Sequence, residues 1–364
     1  MRHKPTCECL KDYSDYLISD RNYQPIRIST LEALVEAVKK AYEASTPIRI
    51  RGNGHSMNGS SLPRSGENLI QTEDFSHFHF GHPNTVTVGA GVAVWDVERF
   101  LRRYGYRLPV LNDGGKPAST IGGYLSAGGL GSASAIHGGF WETVVSVTLV
   151  SGEGKVFQCR PEDAIFPWLF GSMGQLGVIY EVTLTILPLD DATQSYPAGV
   201  AGYIGATQAD WEKIAWFTLF APQRLQNEVL DLLADLQQRH KHVWKIRPAY
   251  LYNLAFKTFN PPLIHASQET LIAAGIWGTP LRSDKFDAIS LAALESDIIV
   301  MSYLHPELRR YLQTELSFNP DALRLNLGQH VYSAFQDLKG RLDPKYLFTP
   351  GILTDPSIAQ EHTL

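Results

Sequence analysis

Cysteine is scarce in this chain of 364 residues, which holds three: Cys7, Cys9 and Cys159. Three thiols cannot build a disulfide framework, and the Cys7-Glu-Cys9 spacing fits neither a zinc knuckle nor a redox pair. Long apolar runs are missing too. Nothing approaches the roughly 20 residues of a membrane span, and the opening MRHKPTCECLKDYSDYL lacks the apolar centre of a signal peptide. There is no long basic run, and a formal net charge of −5 leaves little electrostatic footprint for nucleic acid or an anionic membrane. These absences predict a cytoplasmic protein whose partner is a small molecule, with no nucleic acid and no membrane among its partners. The oligomeric state is left open.

What is present is an ordinary globular balance, 44% hydrophobic and 19% charged, in a chain long enough for two domains that share one ligand cleft. Glycine is concentrated between Gly114 and Gly139, as expected where backbone must come close to a ligand.

Leu31, Leu34, Val35, Val38 and Tyr42 repeat at helical spacing behind Ser29 and Glu32, which predicts a helix over 29–44 opened by a capping box. A short strand over 48–51 then runs into Gly52-Asn53-Gly54-His55-Ser56, too glycine-rich to continue a strand or a helix. Further along, the pattern predicts a strand over 85–89, an amphipathic helix over 92–104, a hairpin of 143–150 with 155–159, a helix over 163–170 and a strand over 178–187. This mixed order predicts an α+β domain up to about residue 189. Beyond it, aromatics become frequent and 223–240 reads as a helix, so a second, short domain is expected over 190–329. Residues 330–364 form a last helix and a tail broken by Pro and Gly.

The turn after the first strand offers several backbone N–H groups with no bulky side chains in the way, a nest that suits a diphosphate. By itself it reads equally as a plain polar turn. Later come TIGGYLSAGGLGSASAIHGGF (120–140), TVVSVTLVSGEGKVFQC (143–159) and LFGSMGQLGVIYEVTLTILP (169–188). Together and in this order, with RIRGNGHSMNGSSLP before them, these segments resemble the FAD-binding domain of the vanillyl-alcohol oxidase family (the PCMH-type domain). The likeness is greatest to its cytokinin-dehydrogenase-like and sugar-oxidase-like branches. It spans about residues 25–188, with LDPKYLFTPGI near the end resembling the family's return to that domain.

The resemblance implies an α+β, two-subdomain FAD-binding domain with a reduced α+β substrate (cap) domain, and FAD as cofactor. Gly52, Asn53, Gly54 and Ser56 would cradle the diphosphate, and Arg51 and Gly59 beside them would also be cofactor-binding. His55 matches the histidine that in many members bonds to the flavin's benzenoid methyl group. Thr120, Gly122, Gly123, Ser126, Gly129 and Leu130 match a second loop along the cofactor, and Ile179 the position whose backbone meets the adenine end. Residues 120–139 hold no cysteine, so a single attachment through His55 is implied. Asp113 lies about two residues from where cytokinin-dehydrogenase-like members place a proton-accepting carboxylate. It reads either as that base or as a turn aspartate in Asn-Asp-Gly-Gly.

Other patterns carry less. His77, His79 and His82 could supply metal nitrogens, but no carboxylate or cysteine completes a set, so no metal is expected. Cys159 reads as a small buried residue. No G-x-G-x-x-G follows a strand and opens a helix, and no G-x-S-x-G elbow occurs. The expected function is therefore FAD-dependent oxidation of a C–H next to an O–H or N–H, with oxygen or another acceptor reoxidising the flavin. The alternative is a flavin-binding protein that catalyses a non-redox cyclisation or uses the flavin structurally. Tyr252, Tyr303 and Asn326 are second-domain candidates for the substrate side.

Overall fold

The computed structural model describes residues 9–13, 17–81, 84–112, 118–190, 215–242, 244–246, 249–280, 288–314 and 318–354. A parallel three-stranded sheet comes first, built from β1 (Gln24–Arg27), β2 (Ile48–Arg51) and β3 (Asn68–Gln71) in the order β1-β3-β2. Between β1 and β2 runs α1 (Leu31–Glu43), whose Leu34, Val38 and Ala41 recur at helical spacing and are buried. The cap is Thr30 rather than Ser29. Thr30 has the extended backbone that a cap needs, and its hydroxyl accepts from Ala33 N at 3.2 Å.

Next come β4 (Phe78–Gly81), β5 (Thr85–Gly89), α2 (Val94–Arg102), β6 (Tyr106–Arg107), and two short helices, α3 (Ile121–Ala127) and α4 (Ser134–His137). The hairpin of β7 (Val144–Val150) and β8 (Val156–Cys159) forms as expected and pairs with β9 (Val178–Thr185). These strands make an antiparallel sheet in the order β4-β5-β9-β7-β8, and β10 (Leu187–Pro188) pairs with β6. The helix expected over 163–170 is only a 3₁₀ turn, Phe166–Trp168. Pro167 falls in its middle, where it lacks the N–H and clashes with the preceding turn. Parallel and antiparallel sheets with helices packed on them make this an α+β fold.

The second five-stranded sheet contains β11 (Ala215–Pro222), β12 (Trp244–Ile246), β13 (Tyr250–Leu254), β14 (Leu271–Pro280) and β15 (Arg309–Arg310). Side chains alternate along β11. Phe217, Leu219 and Ala221 join Ile272, Ala274 and Ile276 in a core closed by α5 (Gln226–His240) and α6 (Ala288–Leu304). Phe220, with Leu254, Leu271 and Ala273, joins instead the core of the first half. The sheet thus walls off the end of the first domain and is not a free-standing layer.

After α7 (Pro320–Leu327) and α8 (Gln329–Leu342) the chain returns to β2, with Ile48 N donating to Leu347 O (2.8 Å) and Thr349 N to Ile48 O (2.9 Å). A buried charge pair fastens this return. Lys339 donates to Asp343 Oδ2 (2.6 Å), Gln175 O (2.6 Å) and Phe348 O (3.1 Å), and Asp343 accepts from the amides of Leu347 and Phe348. All three ammonium protons are used, which is what makes a fully buried lysine tolerable. Among the described residues no helix is long and apolar enough to cross a membrane.

Candidate functional site

The site starts from β2, whose last residue leads straight into the glycine turn. Gly54 has φ +73°, and a Cβ there would run into the Arg51 guanidinium, so the turn requires glycine. Arg51 braces it from behind, donating to Ser61 Oγ (3.0 Å) and Lys11 O (2.9 Å). Asn53 Nδ2 donates to Ala118 O (2.8 Å), which ties the turn to the segment that opens α3. There Thr120 caps the helix, accepting from Gly123 N at 3.2 Å, while Gly122 N donates to Ala90 O (2.9 Å). A Cβ on Gly52 would overlap the Thr120 hydroxyl, so the two loops meet with no space for a side chain.

Between them lies a cleft lined by Gly52, Asn53, Gly54, His55, Ser56, Thr120, Gly122, Gly123, Ser126 and Ile179 from the expected set. Arg51, Gly59, Gly129 and Leu130 stand behind this lining: a Cβ on Gly59 would lie 2.8 Å from a Leu17 methyl, one on Gly129 would meet the Tyr124 ring, and Leu130 packs against the core. Asp113 lies outside the described residues. Sequence reasoning missed Ser60, Ser61, Thr72, Ser119, Met173, Gly174, Gly177 and Gln313. Gly174 and Gly177 stand in the quoted GSMGQLG segment and were open to recognition as a further backbone approach. Gln313 carries no local signal. Folding brings it in, with Tyr311 OH donating to its Oε1 (3.0 Å) and Asn58 Nδ2 holding Leu312 O (3.1 Å).

His55 sits at the cleft wall, 8% exposed, and among the described residues no other residue hydrogen-bonds either ring nitrogen. Burial pushes its pKa down to about 4, so the imidazole is neutral at ordinary pH, with a lone pair available. A buried polar ring left without partners costs about 1–3 kcal/mol, and such an orphan beside a cleft is what a residue awaiting a ligand looks like. With the amide-rich glycine loops, the lining fits a ligand that has an anionic diphosphate and a flat ring system to place near His55.

The remaining candidates fall elsewhere. Cys159 is 1% exposed, and burial together with Asp163 pushes its thiol up to about 12, so it packs as an inert apolar residue. His77 hydrogen-bonds Glu181 at 2.9 Å, and His82 lies outside the described residues. Among the described residues no three His, Cys, Asp or Glu side chains gather as a metal site. Tyr303 is exposed on α6, and Asn326 is spent on both backbone groups of Arg310. Tyr252 packs, half-buried, against the first core.

Residues 25–160 match a family described as FAD binding domain. The D-arabinono-1,4-lactone oxidase of Yarrowia lipolytica is 30% identical over 174 residues, which cover 46% of this chain and 32% of that protein. Cytokinin dehydrogenase 5 of Arabidopsis thaliana is 28% identical over 191 residues, covering 48% and 34%. The mitochondrial L-galactono-1,4-lactone dehydrogenase of the same plant is 32% identical over 190 residues, covering 50% and 30%. The chain spans about a third of the length of these relatives.

Proposed function

We propose that the chain, whose residues 25–160 match the FAD binding domain family, is an FAD-dependent oxidoreductase of the vanillyl-alcohol oxidase type that oxidises a small molecule at a C–H next to an O–H or N–H. The observation that carries this reading is the cleft itself: two glycine loops meeting with no room for a side chain, and a neutral, unpartnered His55 at the wall. When bound, the flavin supplies the acceptor for the substrate's hydride, which oxygen or another acceptor then regenerates.

The chain's own residues do the holding. Amides around Gly52 and Gly54 take the diphosphate charge, Gly122 and Gly123 let the second loop line the cleft without side chains, and Asn53 and Thr120 hold the two loops. Ile179, on β9, closes the far end. His55 anchors the cofactor by a single covalent bond. Gln313, oriented by Tyr311, brings an amide from the second half into the cleft, suited to a hydroxyl or carbonyl of the substrate. Sugar-like alcohols and lactones head the substrates to test, given the names of two of the relatives.

The test is a visible absorption spectrum of the purified protein before and after acid precipitation. The expected result is a yellow protein whose colour stays in the pellet and is lost from the pellet in His55→Ala. Flavin released into the supernatant of the unmodified protein would remove the covalent part alone. A colourless protein that takes up no FAD would overturn the whole reading.

A further inference from the structure

Among the described residues, no hydrogen bond from another residue fixes the plane of the His55 ring. A ligand histidine ordinarily has its orientation set by a partner at the second nitrogen. Here something else must set it. The first described residues fold back over the glycine turn, where Ser19 N donates to Leu10 O (2.8 Å), Leu10 N to Ser19 Oγ (2.9 Å) and Asp12 N to Leu17 O (3.1 Å). Three contacts fasten this clasp to the turn: Tyr13 N to Ser56 O (2.9 Å), Arg51 to Lys11 O (2.9 Å), and the Leu17 methyl over Gly59. A fourth reaches the imidazole. The Tyr13 ring lies on the His55 ring with centroids 4.2 Å apart and planes 18° from parallel.

We propose that Tyr13 is the positioning residue for flavin attachment: its ring clamps the His55 imidazole in one plane at the cleft wall and keeps water from one face. This rests on the reading of His55 as the attachment point. In the net reaction, an imidazole N–H and one C–H of the flavin's benzenoid methyl are lost and an N–C bond forms. The two protons and two electrons go to dioxygen as oxidant and leave as hydrogen peroxide. The bond needs a neutral imidazole held at a fixed angle, and the stacked phenol ring meets both needs by excluding water and removing ring rotation. Among the described residues the ionisable groups around the turn include Arg51, Asp12, Lys11, Tyr23 and Tyr13 itself. Burial lowers the Arg51 pKa and Asp12 opposes that shift, so the two charges offset each other beside the ring.

The experiment uses the full chain with Tyr13→Phe, which keeps the ring, and Tyr13→Ala, which removes it. Flavin-free protein is incubated with FAD in air, and total bound flavin, the acid-stable fraction over time, and the imidazole titration of His55 by NMR are followed. Tyr13→Phe is expected to behave as the unmodified chain. Tyr13→Ala should keep total flavin binding while acid-stable flavin forms about ten- to a hundredfold more slowly. Its imidazole midpoint should also rise from about 4 toward the ordinary 6.5. Wild-type attachment rates in Tyr13→Ala, or a Tyr13→Phe as slow as Tyr13→Ala, would overturn the clamp while leaving the attachment reading intact. No acid-stable flavin in the unmodified chain would overturn both.

Discussion

The cleft half and the second sheet use their polar and apolar groups in opposite ways. Around the cleft, polar side chains tie one segment to another, chiefly through backbone: Asn53 to Ala118 O, the buried Arg49 to Ser60 O and the Glu67 carboxylate, the buried Lys339 to Gln175 O and Phe348 O. The result is a set of loops locked so that amides face a ligand. The sheet of β11 to β15 presents an almost wholly apolar face to α5 and α6, and its buried hydroxyls bond locally, as Thr218 Oγ1 does with Tyr250 OH. One region is organised to present backbone, the other to supply a wall. Changes in the second should therefore alter stability without touching cofactor affinity, while changes to the glycine loops of the first should show chiefly in cofactor affinity.

The largest effect is expected in the wall. Leu233, 1% exposed between α5 and the sheet, when changed to Ala should cost about 2–5 kcal/mol by loss of contacts and creation of a cavity. Urea unfolding measures the cost, and FAD titration of the same variant should match the unmodified chain within about twofold, well under 1 kcal/mol. A parallel loss of FAD affinity would mean that the two regions are not separable in this way.

His55 gives the next effect, through pH. Its imidazole titrates at about 4 in the folded chain against an ordinary 6.5, so below 6.5 the unfolded chain takes up a proton that the folded chain does not. The contribution to stability is fully present above about 6.5 and is lost as pH falls through about 4, where it amounts to about 3 kcal/mol. Unfolding of flavin-free protein at neutral pH and near pH 4 should show this excess loss relative to His55→Leu. Equal losses would mean that the imidazole is solvated and is not held neutral in a dry wall.

The cleft half was far more legible than the wall, for a physical reason. Where backbone must approach a ligand, the requirement falls on residue type at fixed local spacing, so Gly52, Gly54, Gly122 and Gly123 stand out in the sequence and line the cleft. The strands of this half were legible through their alternation and the hairpin glycines. Local rules failed where two competed: Ser29 and Thr30 both suit a cap, and the apolar periodicity of 163–170 hid the effect of Pro167. Gln313 and Tyr13 were illegible for a different reason. Each is placed by a contact between distant segments, Gln313 through its neighbour Leu312, whose carbonyl accepts from Asn58, and Tyr13 through its ring on His55, and nothing in the local sequence marks it.

Gly52 is where the cleft half can be broken most cleanly. Thr120, the nearest group to a Cβ at this position, is 3% exposed, branched, and held by its bond to Gly123 N, so it cannot swing aside as the end of a long side chain could. In Gly52→Val the added carbons must push Thr120 from its cap or part the two loops. Overpacking of this kind costs about 1–3 kcal/mol. Because the strain is relieved by opening the loops rather than by unfolding the sheets beneath them, it should appear chiefly in binding, as a weakening of FAD by up to about a hundredfold. Fluorescence titration of flavin-free protein reads the affinity, and circular dichroism should show an unchanged fold. Unaltered FAD affinity in Gly52→Val would mean that the loops do not need to meet this closely, and the contrast between a backbone-presenting cleft and a packing wall would lose its sharpest support.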